Sequence, residues 1–355
     1  MREFWEGKKV LVTGHTGFVG AWLTTALSFF GAHVTGFSLV EDKYSLYEKI
    51  KNSLDIRNVY GDLRDGNAIE SCIKFCQPDI LFHNAAYGFV KECYADPVRA
   101  YATNVTGTMN LLQAVRKLKN PCRIIVASSD KVYENSDKET YLFAESDSLG
   151  GADPYSASKT CEDILARSFY DSYLGESGHT MCAVRPSNIL GGGDHNRTRL
   201  IPSIYRKLGK GKKPVIRNPV SIRPWQNIHD INDAYLTIAR KLENGCQVYN
   251  VGPEPKGIKS VGEIADYVAG LYGEKDVDKN RATTIDRKEK AYLGISIEKI
   301  KRELGWRPKR SLEQTLGEVY EFYQKDNGAN TYQLCIEQIK NYYKHTEDHN
   351  AKLEQ

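Results

Sequence analysis

Short apolar runs rich in β-branched residues recur through the first half of the chain, and each is followed by a stretch with helical spacing. Residues 9–13 read Lys-Val-Leu-Val-Thr, and a helical pattern then runs to Phe30. Gly31, a natural helix stop, precedes a second strand pattern from His33 to Phe37. A strand at 57–60 leads to a helix at 66–75, and a strand at 79–82 to a long helix from Pro97 to Leu118. A strand at 123–127 leads to a helix starting near Pro154, then a strand near 181–185. Strands that are apolar on both sides and joined by helices pack as a parallel sheet covered on both faces. The expected fold class is therefore α/β, a doubly wound parallel sheet.

Beyond residue 186 the rhythm breaks. Glycines cluster at 191–193, basic and proline residues intersperse through 206–224, and short helices are expected near 231–242, 260–272 and 312–325. At 355 residues the chain is too long for one small core. We expect a nucleotide-binding domain at 1–186, to which a segment near 226–251 returns. A smaller substrate-binding lobe at 187–330 follows, then a C-terminal helix and tail at 331–355. In that last helix Leu334, Ile336, Ile339 and Tyr343 form the apolar pattern, with either this chain or a neighbour as its partner.

A net charge of +4 is too small and too dispersed for a nucleic-acid binder. No apolar run approaches the roughly 18–20 residues that cross a bilayer, and the start of the chain lacks a signal peptide's apolar stretch. The expected location is cytoplasmic, with neither nucleic acid nor membrane as partner. The eight cysteines are scattered, and Cys72 and Cys76 have no Cys/His pair near them in sequence, so no metal site is expected.

The run Gly14-His15-Thr16-Gly17-Phe18-Val19-Gly20 joins the first strand to its helix. Glycines there permit a tight turn and let a diphosphate reach the helix N-terminus, where free N–H groups and the helix dipole favour anions. This makes the sheet Rossmann-type, with a dinucleotide as cofactor. After the second strand an acidic residue commonly holds the adenosine ribose. Ser38 stands at that place, with Glu41 and Asp42 as alternatives. No arginine is present there for a 2′-phosphate, which favours NAD over NADP.

The strand at 123–127 ends in Ser128-Ser129-Asp130-Lys131, and Tyr155-Ser-Ala-Ser-Lys159 follows on a helix. Residues four apart share a helix face, so the Lys159 ammonium would lower the pKa of Tyr155 and let it accept an alcohol proton. Ser129 would hydrogen-bond the same substrate oxygen.

These strings resemble the extended short-chain dehydrogenase/reductase family from Gly14 to about Trp306. Gly61-Asp62-Leu63-Arg64-Asp65, His83-Asn84-Ala85-Ala86, Asn104-Val-Thr-Gly-Thr and Arg185-Pro186 add to the resemblance. It implies that Asp62 and Leu63 approach the adenine, that Ala85 and Ala86 line the cofactor channel, and that Asn104 belongs to the cofactor site. Within the family the chain is most similar to the CDP-glucose branch of the sugar-nucleotide 4,6-dehydratases. Ser129-Asp130-Lys131-Val132-Tyr133-Glu134-Asn135 and Asn188-Ile-Leu-Gly-Gly-Gly-Asp194 carry that likeness, where other branches place Asp-Glu after the serine or threonine.

The resemblance implies catalytic roles for Ser129, Asp130, Lys131, Tyr155 and Lys159. Tyr155 would take the C4 hydroxyl proton, Lys131 the C5 proton, and Asp130 would protonate the departing C6 hydroxyl. The partner is a nucleotide-diphosphate sugar. Asn188, Arg199, Leu200, Arg217 and Arg223 are the candidates to bind it, the two last because guanidinium forks suit phosphate oxygens. A C4 epimerase needs the same serine, tyrosine and lysine but no acid–base pair at 130–131. A non-catalytic NAD-binding regulator would need none of them. The lysines at 210–213 read as a solvated loop, while Trp225 and His229 fit either a site lining or a core. Family members commonly pair through helices near 97–118 and 154–174, so a homodimer or homotetramer is expected.

Overall fold

The computed structural model describes residues 1–135, 140–196, 199–216, 218–274, 277–279 and 291–353, with side chains as far as 344. Its strands are β1 (Lys9–Thr13), β2 (His33–Ser38), β3 (Arg57–Tyr60), β4 (Ile80–His83), β5 (Arg123–Ala127), β6 (Thr180–Pro186), β7 (Asn188–Leu190), β8 (Ile222–Asn227), β9 (Cys246–Val251) and β10 (Ile258–Ser260). Seven of them form one parallel sheet in the order β3-β2-β1-β4-β5-β6-β9. Winding reverses between β1 and β4, and ligand crevices open at the carboxyl ends of the strands around such a point.

Both faces of this sheet are covered, for the reason its sequence gave. Val10, Val12, Ile80, Phe82, Ile125 and Val184 point one way, into a core with Trp22, Leu23, Ile228, Ile231 and Ile339. Their neighbours Leu11, Leu81, Ile124, Val126 and Met181 point the other way, against Ile69, Ile73, Leu111, Leu112 and Ala166. Period-two alternation thus buries both sets. Leu11 is fully buried, and truncating such a leucine to alanine costs about 2–5 kcal/mol.

The long helix expected from Pro97 to Leu118 is not continuous. It consists of Pro97–Tyr101, a π-helical stretch Ala102–Gly107, and Thr108–Val115. Apolar spacing does not reveal an extra residue in a turn. The widened turn contains Asn104, whose amide donates to Ser158 Oγ at 2.9 Å and to Tyr87 O at 3.2 Å. It is thereby tied to the helix that carries Tyr155.

After β6 the chain leaves the sheet. β7, β8 and β10 form a small second sheet, with the order β10-β8-β7. Helices Leu200–Leu208, Val261–Leu271 and Leu312–Lys325 pack with it around Tyr205, Ile264, Val268 and Leu316. Reciprocal capping boxes at Ser260 and Ser311 start the last two of these helices. Between these pieces, helix Ile228–Lys241 packs under the main sheet and β9 pairs with β6. Trp22 Nε1 donates to Gly192 O at 2.9 Å, linking the first helix of the sheet to the glycine cluster.

The C-terminal helix, Thr331–Leu353, packs on its own chain. Leu334, Cys335 and Ile339 enter the core, Tyr343 lies edge-on to Phe30 at 5.0 Å, and Tyr342 donates to Asp230 Oδ1 at 2.6 Å. Among the described residues no helix is long and apolar enough to cross a membrane.

Candidate active site

Gly14 ends β1 with φ +73°, and a Cβ there would lie 2.7 Å from the backbone of Ala85. A Cβ on Gly20 would lie 2.2 Å from Gly14 O. Both positions need glycine on steric grounds alone. Gly17 caps the helix Phe18–Phe29 without any side chain accepting from its first turn. The N–H groups of Phe18, Val19 and Gly20 thus lie at an uncapped N-terminus that suits a diphosphate.

At the tip of β2, Thr16 Oγ1 and Ser38 Oγ are 2.8 Å apart. Glu41 is held by Lys51 at 2.5 Å, and Asp42 accepts from Tyr44 N at 2.8 Å. The Ser38–Thr16 hydroxyl pair, and neither carboxylate, therefore forms the end of the strand where a ribose would lie. Asp62 is gripped through both oxygens by Arg64, Leu63 is buried against Gly107, and Ala85 and Ala86 follow β4 across from Gly14. These residues lie together at the carboxyl ends of β1–β4, beside the switch point where a dinucleotide would bind. Asn104 stands apart, because its amide is fully used in pinning Tyr87 and Ser158.

Next to these residues the sheet presents the reactive side chains. β5 ends at Ala127, and Ser129 opens a short 3₁₀ turn, Asp130–Val132, by accepting from Lys131 N at 3.2 Å. Asp153 caps the helix Pro154–Phe169, accepting from Tyr155 N and Ser156 N at 3.0 Å each. Tyr155 therefore sits in the first turn, with Lys159 one turn below on the same face. Tyr155 is partly exposed, as a group that meets a substrate must be. Burial pushes its phenol pKa upward, while a hydrogen bond with Ser129 lowers it. Lys131 Nζ lies 6.0 Å from the Tyr155 ring centre.

Asp130 is the most perturbed acid of the group. It is 3% exposed, and burial pushes its pKa up to about 6 against the pull of Lys131, Ser129 and Arg223. Ser129 Oγ donates to its Oδ1 at 3.3 Å, and its Oδ2 has no hydrogen-bond partner among the described residues. Such a carboxyl keeps its proton to a higher pH than an ordinary aspartate, as suits a general acid.

Sequence reasoning missed two supporting groups. Ser128 Oγ and Arg185 Nε both donate to Asp163 Oδ2, at 2.8 and 2.9 Å, and Arg185 Nη1 donates to the Tyr133 hydroxyl at 3.0 Å. This buried pair braces the strand that carries Ser129. Beneath Lys159 lies Glu162, fully buried and ion-paired to it, with His83 beyond. The three-residue spacing of Lys159 and Glu162 on one helix was the available signal.

The substrate candidates divide. Arg199 reaches the site: its charge acts on Tyr155, it stacks over Phe89 at 5.3 Å, and it pairs with Asp194 at 2.9 Å. Leu200 follows it at the start of a helix, and Asn188 opens β7 opposite Trp225. Arg223 is only 5% exposed and donates to Ile222 O at 2.7 Å, with its charge acting on Asp130. Arg217 lies outside the described residues. Lysines 210, 212 and 213 are exposed. His229 is a core histidine, edge-on to Trp22 at 4.8 Å and lowered to about pKa 4 by burial. Trp225 is buried too, donating to Lys259 O at 2.9 Å. No group of side chains suited to a metal ion occurs among the described residues.

A doubly wound sheet with a glycine turn after β1, a serine after β5 and a Tyr–Lys pair one helical turn apart defines an extended short-chain dehydrogenase/reductase. Comparison with known proteins narrows this. The family model of GDP-mannose 4,6 dehydratase matches residues 11–319, and the chain belongs to that family. It is 34% identical over 337 residues to the CDP-glucose 4,6-dehydratase of Salmonella typhimurium, covering 91% of this chain and 92% of that one. The structure of the dTDP-glucose 4,6-dehydratase of Bacillus anthracis in complex with NAD superposes with a TM-score of 0.76 at 26% identity, covering 90% of this chain and 97% of that one. The UDP-glucose 4-epimerase of Thermotoga maritima has the same fold, with a TM-score of 0.78 at 21% identity over 89% of this chain and 98% of that one.

Proposed function

We propose that this chain is an NAD-dependent 4,6-dehydratase that converts a nucleotide-diphosphate hexose of the CDP-glucose kind to its 4-keto-6-deoxy derivative. One observation carries the reading: the buried acid Asp130 and the amine of Lys131 lie beside the Ser129–Tyr155–Lys159 group. An alcohol dehydrogenase or an epimerase has work for the last three only. The named dehydratase relatives support the same reading.

Bound NAD supplies the oxidising power at C4 and the reducing power at C6. Tyr155, steadied by Ser129, takes the C4 hydroxyl proton. The ketone so formed acidifies C5–H, which Lys131 removes. Asp130 gives its proton to the C6 hydroxyl, which leaves as water, and Lys131 returns its proton to C5. The balance sheet is then simple. Tyr155 ends with one proton too many and Asp130 with one too few, and Ser129 lies between them. Arg199 and Asn188 flank the sugar end.

Turnover of a panel of nucleotide-linked hexoses without added reductant, followed by mass, tests this. Loss of one water with no net reduction of cofactor is expected. An unchanged mass with altered configuration, and retention of C5–H in deuterated water, would replace the reading with an epimerase. Two further parts of the reading concern setting. Val98 (77% exposed) and Ile164 (55%) head an apolar surface with Tyr101, Met109 and Tyr173 on helices near 97–118 and 154–174. Burial of that surface against a second copy makes a dimer, and a monomer by light scattering at micromolar concentration would sink it. All eight cysteines are free thiols, as suits the reducing cytoplasm.

A further inference from the structure

Lys159 carries a charge deep in the protein, only 2% exposed. Its Nζ donates to Ala127 O at 2.6 Å and pairs with Glu162 on its own helix. Glu162 is itself fully buried; burial pushes its carboxyl pKa up, and the Lys159 ammonium paired with it pulls the other way. The carboxylate's other neighbours are Thr108, His83 and the acid Asp163. Thr108 Oγ1, from the helix Thr108–Val115, lies 3.2 Å from Glu162 Oε1. His83, at the end of β4, has Nε2 2.8 Å from Thr108 Oγ1 and 3.6 Å from Glu162 Oε1, and Nδ1 2.7 Å from Thr13 Oγ1 on β1. Burial lowers the pKa of His83 to about 3, so it is neutral and adds no charge. Asp163, the next acid on the helix, is already matched by Arg185. One cation therefore faces one anion.

We propose that Glu162 is a positioning residue for the proton transfer at Tyr155: it fixes the seat of Lys159 and cancels part of the positive charge that the phenol would otherwise feel. This rests on Tyr155 being the base of the proposed reaction. The physical reason is the sum of charges. Tyr155 is flanked by Asp130 and Glu162, which oppose its ionisation, and by Arg199, which favours it. The Lys131 amine lies 6.0 Å from its ring centre. With Lys159 neutralised from behind, the flank of the tyrosine is close to charge balance. Glu162 thereby makes the phenol harder to ionise than it would be with Lys159 unpaired.

The test reads Tyr155 directly and needs no substrate. Phenolate absorbance of the NAD-loaded protein is titrated, and that of the matching Tyr155→Phe protein is subtracted. This is done for the native chain, Glu162→Gln and Glu162→Asp. Removing one charge at a distance of several ångströms in protein shifts a neighbour by about one pH unit. Glu162→Gln should therefore ionise Tyr155 about one pH unit lower than the native protein, roughly a tenfold change in phenolate at a given pH, and Glu162→Asp should stay near native. If Glu162→Gln does not fold, Glu162→Met carries the same expectation. An unchanged or raised titration in the neutral variant overturns the proposal. Failure of the native enzyme to dehydrate any nucleotide hexose would overturn the functional reading instead, and leaves this titration free to give its own answer.

Discussion

Replacing Asp130 with asparagine should make the protein more stable and end its activity at the same time. The carboxyl is 3% exposed, and burial raises its pKa from 3.8 to about 6. An unfolded chain loses this proton at the lower value and the folded chain at the higher one. Stability from this group is therefore complete below about pH 4 and is lost as pH rises to about 6, because the folded state then has to bury an anion. The full loss is about 3 kcal/mol at pH 7, at about 1.4 kcal/mol per pH unit. Asparagine carries no charge at any pH and escapes the penalty. Urea unfolding of Asp130→Asn should thus show a gain at pH 7 of up to about 3 kcal/mol that shrinks towards zero near pH 4, while loss of water from the substrate falls by at least about a hundredfold. A variant less stable than the native protein at pH 7, or a gain of equal size at both pH values, would refute the reasoning.

Other perturbations probe other parts of the site. Gly14→Ala places a Cβ 2.7 Å from the backbone of Ala85 at a residue with φ +73°; NAD affinity, read from tryptophan fluorescence, should drop at least about tenfold. Lys131→Met should still oxidise C4 but should release no water, so that mass analysis of quenched single turnovers finds a keto sugar with its C6 hydroxyl. Full turnover by that variant would remove Lys131 from the mechanism. Arg185→Ala leaves the buried Asp163 carboxylate without its guanidinium, and denaturant unfolding should report a loss of about 3–5 kcal/mol.

Most of the sheet could be read from the chain because its central strands are apolar on both sides and several helices begin with a recognisable stop or cap. β5 falls at 123–127 as expected, β4 is shifted along by one residue, and β6 is longer by one residue at each end. The Ser129, Tyr155 and Lys159 positions were legible for a related reason: strand ends and helix turns impose fixed spacings. Side-chain pairings between distant segments left no such trace. Nothing local announces that Asn104 serves Tyr87 and Ser158, that Glu41 turns to Lys51, or that Arg223 is buried beside Asp130. The π-helical turn at Ala102–Gly107, which contains Asn104, was likewise hidden, since no residue type marks it.

The pairing of β6 with β9 has a consequence for how the molecule is made. About sixty residues separate these neighbours, and two of the small sheet's three strands, β7 and β8, and its first helix are built from that excursion. A chain emerging from the ribosome can order β1 to β5 as they appear, but β6, paired on one side only, stays loosely held until Val251 has emerged. Closing so long a loop is slow, and a bare parallel edge is a template for other chains. The stretch between Pro186 and Cys246 is where synthesis should pause least and where a chaperone would be needed most. Pulse-proteolysis of ribosome-bound chains stopped before and after Val251 should show β6 protected only in the longer ones.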